Sequence, residues 1–183
     1  MSLVLKYLPQ YTYQDYVSWE GDWELIEGIP FAMSQGSKLR HELVKHQLVG
    51  GEIYSSIKSA LTGCSECKVI YKVDWKINKV TTVNPDLLVT LKKTKGNYIS
   101  TPPILIVEIL SKSTALKDRN LKYELYESQG VKYYLIVDPI SEQIEIYELK
   151  NKVYKKQAEF KNENFTFDLE KCNPEVSFKN IWS

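Results

Sequence analysis

The alternation of apolar and polar residues along the chain predicts a sheet built from several strands. In residues 69–77, VIYKVDWKI, apolar residues occupy every second position and Lys72, Asp74 and Lys76 lie between them, which is typical of a strand with one buried face. Residues 86–91 and 104–110 are almost continuously apolar, which predicts central strands covered on both faces. Three more strands are predicted at 133–138, 143–149 and 153–160.

Helical spacing appears in two other segments. Residues 41–61 carry apolar side chains every three to four positions, which predicts a helix despite the Gly50-Gly51 pair. Residues 114–129 show the same spacing, and Gly130 stands where such a helix would end. Residues 23–33, WELIEGIPFAM, predict a short hairpin. The order of elements predicts an α/β (α+β) fold in which helices flank a mixed central sheet.

Length and composition limit the possible function. A chain of 183 residues with 43% hydrophobic content is expected to form one domain, 1–183. The formal net charge of +1 gives no field over the whole protein that would attract nucleic acid or an anionic membrane, so any basic binding surface must be local. The sequence shows neither a membrane span nor a signal peptide, and we expect a cytoplasmic protein without membrane contacts.

The three cysteines favour no special chemistry. Cys64, Cys67 and Cys172 do not make a disulfide framework in a chain of this size. The C-x-x-C of Cys64 and Cys67 lacks the second ligand pair of a four-ligand zinc site. It also falls in a predicted helix-to-strand connection, whereas a redox motif is expected where a helix begins after a strand. We therefore expect these cysteines to be structural.

Glu108 interrupts the apolar run ILIVEIL and is the first candidate for function. Side chains alternate across a strand, so Glu108 shares a face with Ile106 and Leu110 and points into a packed layer or a cleft. A buried carboxylate needs a cation, a metal or several donors, and a purely structural role would require a Lys or Arg partner. Asp86, after Pro85, begins the preceding strand. Two carboxylates on neighbouring strands favour a site for Mg²⁺ or Mn²⁺.

Lys122 adds a cation to these acids. It lies one turn after Asp118 and one turn before Tyr126, so all three project from one face of the predicted helix. The ordinary alternative is a solvated stripe containing a simple Asp–Lys pair.

Several segments together resemble a known family. VNPDLLV, PPILIVEILSKST, DRNLKYELYESQGVKYYLIVDP and WELIEGIPFAMS are similar to the Uma-type family of restriction endonucleases, within the PD-(D/E)XK nuclease superfamily. The resemblance covers roughly residues 12 to 150. It implies a restriction-endonuclease-like fold and metal-dependent hydrolysis of DNA phosphodiester bonds, with Asp86 and Glu108 as ligands of Mg²⁺ or Mn²⁺.

The resemblance also implies roles for other residues. The superfamily lysine two positions after the glutamate is replaced here by Leu110, and Lys122 matches the position to which the Uma-type family moves it. Lys112 is the competing candidate. Glu24 corresponds to an additional acidic residue near the metals, and either His41 or His46 matches a family histidine, with His46 the better fit.

Two questions about partners stay open in the sequence. A local basic rim for DNA is predicted from the residues Lys92, Lys93, Lys95, Lys112, Lys117 and Arg119. The alternative function is a catalytically inactive nuclease-fold protein that acts as a dimeric binding or regulatory module, since fold does not determine function. The strands at 133–138 and 143–149 would then supply the homodimer interface.

Overall fold

The computed structural model describes residues 9–33, 40–91, 96–112 and 114–182, with the side chains of residues 40–43 outside this description. Its helical segments are α1 (Tyr13–Tyr16), α2 (Arg40–Ala60), a 3-10 turn (Leu61–Gly63), a π-helix (Lys117–Lys122) and α3 (Tyr123–Ser128). No helix within the described ranges is both long and apolar enough to cross a membrane.

The described strands form a six-stranded, a four-stranded and a two-stranded sheet. The six-stranded sheet has the order β10-β9-β8-β7-β6-β3, and only its β7–β8 pair is parallel. The four-stranded sheet has the order β2-β1-β5-β4, and β11 pairs with β12. The strands are β1 (Trp23–Ile26), β2 (Ile29–Ala32), β3 (Lys68–Tyr71), β4 (Trp75–Asn78), β5 (Thr81–Val83), β6 (Leu87–Thr90), β7 (Leu105–Ile109), β8 (Tyr133–Asp138), β9 (Gln143–Lys150), β10 (Val153–Phe160), β11 (Asn164–Thr166) and β12 (Glu175–Ser177).

Each face of the six-stranded sheet is covered by a separate apolar cluster. On one face, Leu105 and Val107 belong to the same cluster as Ile53 of α2 and Val176 of β12. On the other face, Ile106 and its neighbours cluster with Tyr126 of α3 and with residues of the four-stranded sheet. This double coverage confirms the prediction from the continuous apolar runs that β6 and β7 are central strands. The mixed α+β architecture is also confirmed.

The prediction of one strand over residues 69–77 is wrong. The segment is divided between β3 of the six-stranded sheet and β4 of the four-stranded sheet. Between the two strands, Lys72 adopts a left-handed backbone conformation with φ of 46°. The chain thus turns from one sheet to the next, and a regular alternation of residue types does not reveal such a turn.

The structure bears on two further expectations from the sequence, and the homodimer itself stays a prediction. The strands suggested as a dimer interface, β8 and β9, are interior strands with paired neighbours on both sides, and Tyr133–Val137 are buried within the chain. The sequence predicts structural cysteines without a disulfide framework; the described residues contain a single bridge, in which Cys64 and Cys172 are bonded across a separation of 108 residues. Nothing local in the sequence indicates this pairing, which depends on the β11–β12 hairpin folding back against the end of α2.

Candidate active site

Asp86, immediately before β6, stands opposite Glu108 of β7 where these two central strands pair. The antiparallel pair β6–β7 aligns Leu87 with Val107 and Leu88 with Ile106, so the residue before Leu87 stands opposite the residue after Val107. Directly opposed residues in a sheet project from the same face. Asp86 is 4% exposed and Glu108 is 3% exposed. The two predicted carboxylates are therefore both buried at the same end of β6 and β7, near enough for the charge of Asp86 to raise the pKa of Glu108.

Glu108 receives two hydrogen bonds on one oxygen. Lys122 Nζ lies 2.9 Å from Glu108 Oε1, and the Tyr126 hydroxyl donates to the same oxygen at 2.7 Å. Burial raises the pKa of Glu108 to about 8; the charge of Lys122 opposes this rise, and the nearby carboxylates of Asp118, Asp86 and Glu24 add to it. Glu108 is thus a carboxyl group that is poised to lose its proton near neutral pH.

Lys122 lies among three carboxylates. Its ammonium group is 2.7 Å from Glu24 Oε1, 2.9 Å from Glu108 Oε1 and 3.5 Å from Asp118 Oδ1, and its side chain is only 1% exposed. Burial alone would lower the pKa of Lys122, but the three carboxylates raise it well above its ordinary value. Lys122 is therefore a fixed positive charge.

Glu24 is fully buried on β1 and connects the two larger sheets. Its Oε1 atom also accepts a hydrogen bond from the Asn84 backbone amide at 3.0 Å, while Lys117 Nζ lies 2.5 Å from Oε2. Burial raises the pKa of Glu24, yet Lys122 and Lys117 outweigh this effect and lower it overall. Glu24 is thus held ionised by two lysines.

The π-helix explains how both lysines reach Glu24. In an α-helix, residues five apart point about 140° away from each other around the axis. A π-helix joins residue i to residue i+5 by hydrogen bonds, so residues five apart lie close to the same side. Lys117 and Lys122 are the first and last residues of this segment, and the backbone carbonyl of Asp118 within it accepts a hydrogen bond from Tyr134 at 2.9 Å. The α-helical spacing in the sequence predicts Lys122 but not Lys117.

Asp86 is surrounded by donors. The Ile109 backbone amide donates to its Oδ2 atom at 2.7 Å, His46 Nε2 lies 3.3 Å from the same oxygen, and Lys72 Nζ contacts Oδ1. Burial opposes ionisation, but the hydrogen bond and charge contributed by His46, together with Lys72, hold the pKa of Asp86 well below its ordinary value. Of the two candidate histidines, His46 therefore reaches the site, whereas the His41 side chain lies outside the described residues.

Other predicted lysines lie elsewhere. Lys112 is exposed, in contrast to the buried Lys122, and residues 92–95 of the suggested basic rim lie outside the described part of the chain. Lys117 does not belong to that rim, because its side chain is mostly buried against Glu24. Arg119 is exposed and pairs with Glu145 at 2.5 Å, so its place in a basic rim stays a prediction. Sequence reasoning missed the role of Lys72, which it placed on the solvent face of a continuous strand.

The charges and donor atoms of the cluster fit a divalent cation. Among the described residues it contains four carboxyl groups and three ammonium groups, and Asp118 Oδ1 is buried there with Lys122 Nζ at 3.5 Å but no hydrogen bond from the described part of the chain. Carboxylate oxygens are the ligands that Mg²⁺ and Mn²⁺ prefer. Asp86 and Glu108 would hold the cation, with Glu24 beside them. Lys72 is 34% exposed and has room to leave Asp86, whereas Lys122 does not.

Comparison with known proteins identifies the family. The model of the Uma2 family, described as "Putative restriction endonuclease", matches residues 13–178. The chain belongs to the Uma2 family. An uncharacterized protein of Synechocystis sp. is 32% identical to this Uma2 chain over 149 residues, which cover 76% of this chain and 74% of the relative.

A solved structure shares the fold of this Uma2 chain. It is the crystal structure of "a putative nuclease belonging to DUF820" from Anabaena variabilis, with a TM-score of 0.68 and 16% sequence identity. The match covers 93% of this chain and 97% of that one. At this level of identity the comparison supports the fold alone. The chemistry has to be argued from the residues of the site.

Proposed function

We propose that this chain is a metal-dependent endonuclease that hydrolyses phosphodiester bonds in DNA. The observation that carries the proposal is the position of Lys122 Nζ, 2.9 Å from Glu108 and 2.7 Å from Glu24 in the buried cluster that also contains Asp86. Its family, described as restriction endonucleases, supports a nuclease-like function. A lysine fixed beside paired carboxylates suits a reaction in which negative charge develops on phosphate.

Each residue has a separate task in this proposal. Asp86 and Glu108 would hold the divalent cation, and Glu24 would add negative charge behind them. Mg²⁺ or Mn²⁺ held there would supply a Lewis acid for the water and for a phosphate oxygen. Lys122 orients the attacking water or stabilises the developing charge, and its carboxylate contacts hold it in place. Tyr126 keeps the Glu108 carboxylate in one orientation through its 2.7 Å hydrogen bond.

Nicking of supercoiled plasmid DNA tests the proposal. Purified protein should nick the plasmid with Mn²⁺ or Mg²⁺, EDTA should stop the reaction, and Glu108→Gln should lose activity while remaining folded. Glu148→Gln is the matched control, because Glu148 pairs with Tyr133 on the opposite face of the same sheet. This variant should nick the plasmid at the wild-type rate. Cleavage by Glu108→Gln at the wild-type rate would reject this active site. Metal binding without cleavage by the wild type would favour the binding-module alternative.

A further inference from the structure

A cluster of three cysteines lies away from the candidate active site. The sulfur atoms of Cys64, Cys67 and Cys172 lie within 4.8 Å of one another, and Cys67 Sγ is 3.7 Å from Cys172 Sγ. Cys64 and Cys67 belong to the apolar cluster on the α2 face of the six-stranded sheet, and Cys172 packs against it. Glu108 projects from the opposite face, beside Ile106. The cysteines are thus separate from the carboxylate cluster.

Two tight turns position the three sulfur atoms. Cys64 and Cys67 occupy the turn that follows α2, where the Cys64 amide donates to the Leu61 carbonyl at 2.8 Å and the Cys67 amide donates to the Cys64 carbonyl at 3.1 Å. Cys172 lies in the connection between β11 and β12, where the Leu169 amide donates to the Cys172 carbonyl at 3.0 Å. Both segments are held by backbone hydrogen bonds, so little ordering is needed for the three sulfurs to act together.

The disulfide between Cys64 and Cys172 uses only two of these sulfur atoms. Cys67 is buried beside it as a free thiol. Three thiolates from a C-x-x-C turn and a distant turn are ligands that soft or borderline cations such as Zn²⁺ prefer. Cys172 is only half-buried, which leaves solvent access for a water molecule as the fourth ligand.

We propose that the reduced cysteine cluster binds one Zn²⁺-like cation through Cys64, Cys67 and Cys172, and that the disulfide is its oxidised, metal-free form. Reduction by a dithiol transfers two electrons and two protons to the Cys64–Cys172 bond, which becomes two thiols while the dithiol becomes a disulfide. The cation then replaces the thiol protons, which pass to solvent. In both states the cluster fastens the β11–β12 hairpin, which contributes Val176 to the core, to the end of α2.

Titration of the reduced protein with Co²⁺ tests this proposal. Thiolate ligands give bound Co²⁺ a charge-transfer absorption in the near ultraviolet, whereas carboxylate ligands do not, so the signal reports the cysteines alone. Reduced wild type should develop the band up to one equivalent of Co²⁺, and Zn²⁺ should remove it. The oxidised wild type should show no band.

Cys67→Ser is the decisive variant, because it keeps both cysteines of the disulfide and so retains the link that holds the hairpin. When reduced, it should bind Co²⁺ at least about tenfold more weakly and lose most of the band. Glu108→Gln should leave the band unchanged, so a failure of the proposed nuclease function is distinguishable from a failure here. The absence of a band in reduced wild type, or an equal band and affinity in Cys67→Ser, would reject the metal site. The cluster would then be only a disulfide beside a buried thiol.

Discussion

The ammonium group of Lys122 neutralises carboxylates from three separate segments of the chain. Glu24 comes from β1, Glu108 from β7 and Asp118 from the π-helix, and all three lie within 3.5 Å of Lys122 Nζ. At the residue scale, this one charge permits several acids to be buried together. Its removal leaves those acids with reduced compensation in a region from which water is excluded.

Lys122→Met should therefore destabilise the protein strongly. Loss of one partner from a buried ion pair costs about 3–5 kcal/mol, and the methionine retains much of the volume of the lysine side chain. Lys112→Met is the matched control and should change stability by less than about 1 kcal/mol, because Lys112 is exposed. Urea unfolding at neutral pH measures both effects. Equal stabilities of the two variants would show that the carboxylates do not depend on Lys122.

The raised pKa of Glu108 should make the stability of the metal-free protein depend on pH. Its pKa is about 8 in the folded protein, compared with an ordinary value of 4.5. The folded state thus retains a proton that the unfolded state loses, and the resulting stability is complete below about pH 4.5 and is lost as the pH rises through 8. Metal-free wild type should lose stability relative to Glu108→Gln by up to about 1.4 kcal/mol per pH unit in this window.

Denaturant unfolding in EDTA at several pH values between 5 and 8 measures this difference. Asp86 and Glu24 do not obscure it, because their pKa values are lowered and their effects therefore fall at more acidic pH. Stability curves that run parallel for wild type and Glu108→Gln would show that Glu108 ionises normally.

The residue types of the site explain which members were predictable. Asp86 and Glu108 stand next to or within apolar runs, so the pattern of apolar positions marks them as unusual. The spacing of Asp118 and Lys122 is equally typical of a solvated helix face, and it is the resemblance to the Uma-type family that selects Lys122. Lys72 carries no such mark, because its contact with Asp86 depends on the left-handed turn between β3 and β4. The sequence predicts the acids better than the cations around them, since the cations depend on local departures from regular structure.

At the scale of elements, α2 packs unusually closely on the six-stranded sheet at Gly50. A Cβ atom on Gly50 would lie 3.2 Å from Ile109 Cδ1 and 3.2 Å from the Tyr71 hydroxyl. At Gly51, a Cβ atom would meet no described atom within 4 Å. The sequence pattern predicts a helix through this pair, but only the packing shows that the two glycines differ.

Gly50→Ala and Gly51→Ala form a matched pair for testing this packing. Each substitution should gain about 0.5–1 kcal/mol from helix propensity. Gly51→Ala should show the full gain in denaturant unfolding, whereas Gly50→Ala should show less or become destabilising, because Ile109 and Tyr71 must shift. Equal gains at the two positions would mean that the helix moves freely on the sheet.

The sequence predicts a helix in the region of the π-helix but not its wider turn. The apolar spacing correctly predicts helical structure in this region, and Gly130, with φ of 79°, follows its end as expected. The spacing does not reveal the wider turn over Lys117–Lys122, because its side-chain pattern resembles that of an α-helix. Wider turns of this kind are often found at functional sites, and here the turn brings a second lysine to Glu24.

At the scale of the whole molecule, the candidate site joins the two larger sheets. Glu24 belongs to the four-stranded sheet, Glu108 belongs to the six-stranded sheet, and Lys122 contacts both acids. The alternation of residues predicts most strands correctly but does not assign them to different sheets, because that assignment depends on turns such as the one at Lys72. A cation bound by these acids would therefore stabilise the contact between sheets as well as the site.

Metal binding should consequently raise the unfolding temperature more at higher pH. Glu108 must lose its proton to become a ligand, so each pH unit below about 8 should weaken Mn²⁺ binding by up to about tenfold. Mn²⁺ at about a hundred times its dissociation constant should stabilise the protein by about 2.7 kcal/mol. Thermal unfolding with Mn²⁺ or EDTA at pH 6, 7 and 8 measures this effect. In Glu108→Gln the stabilisation should be small at every pH, since the amide carries no charge. A wild-type shift that is independent of pH would place the bound cation away from Glu108.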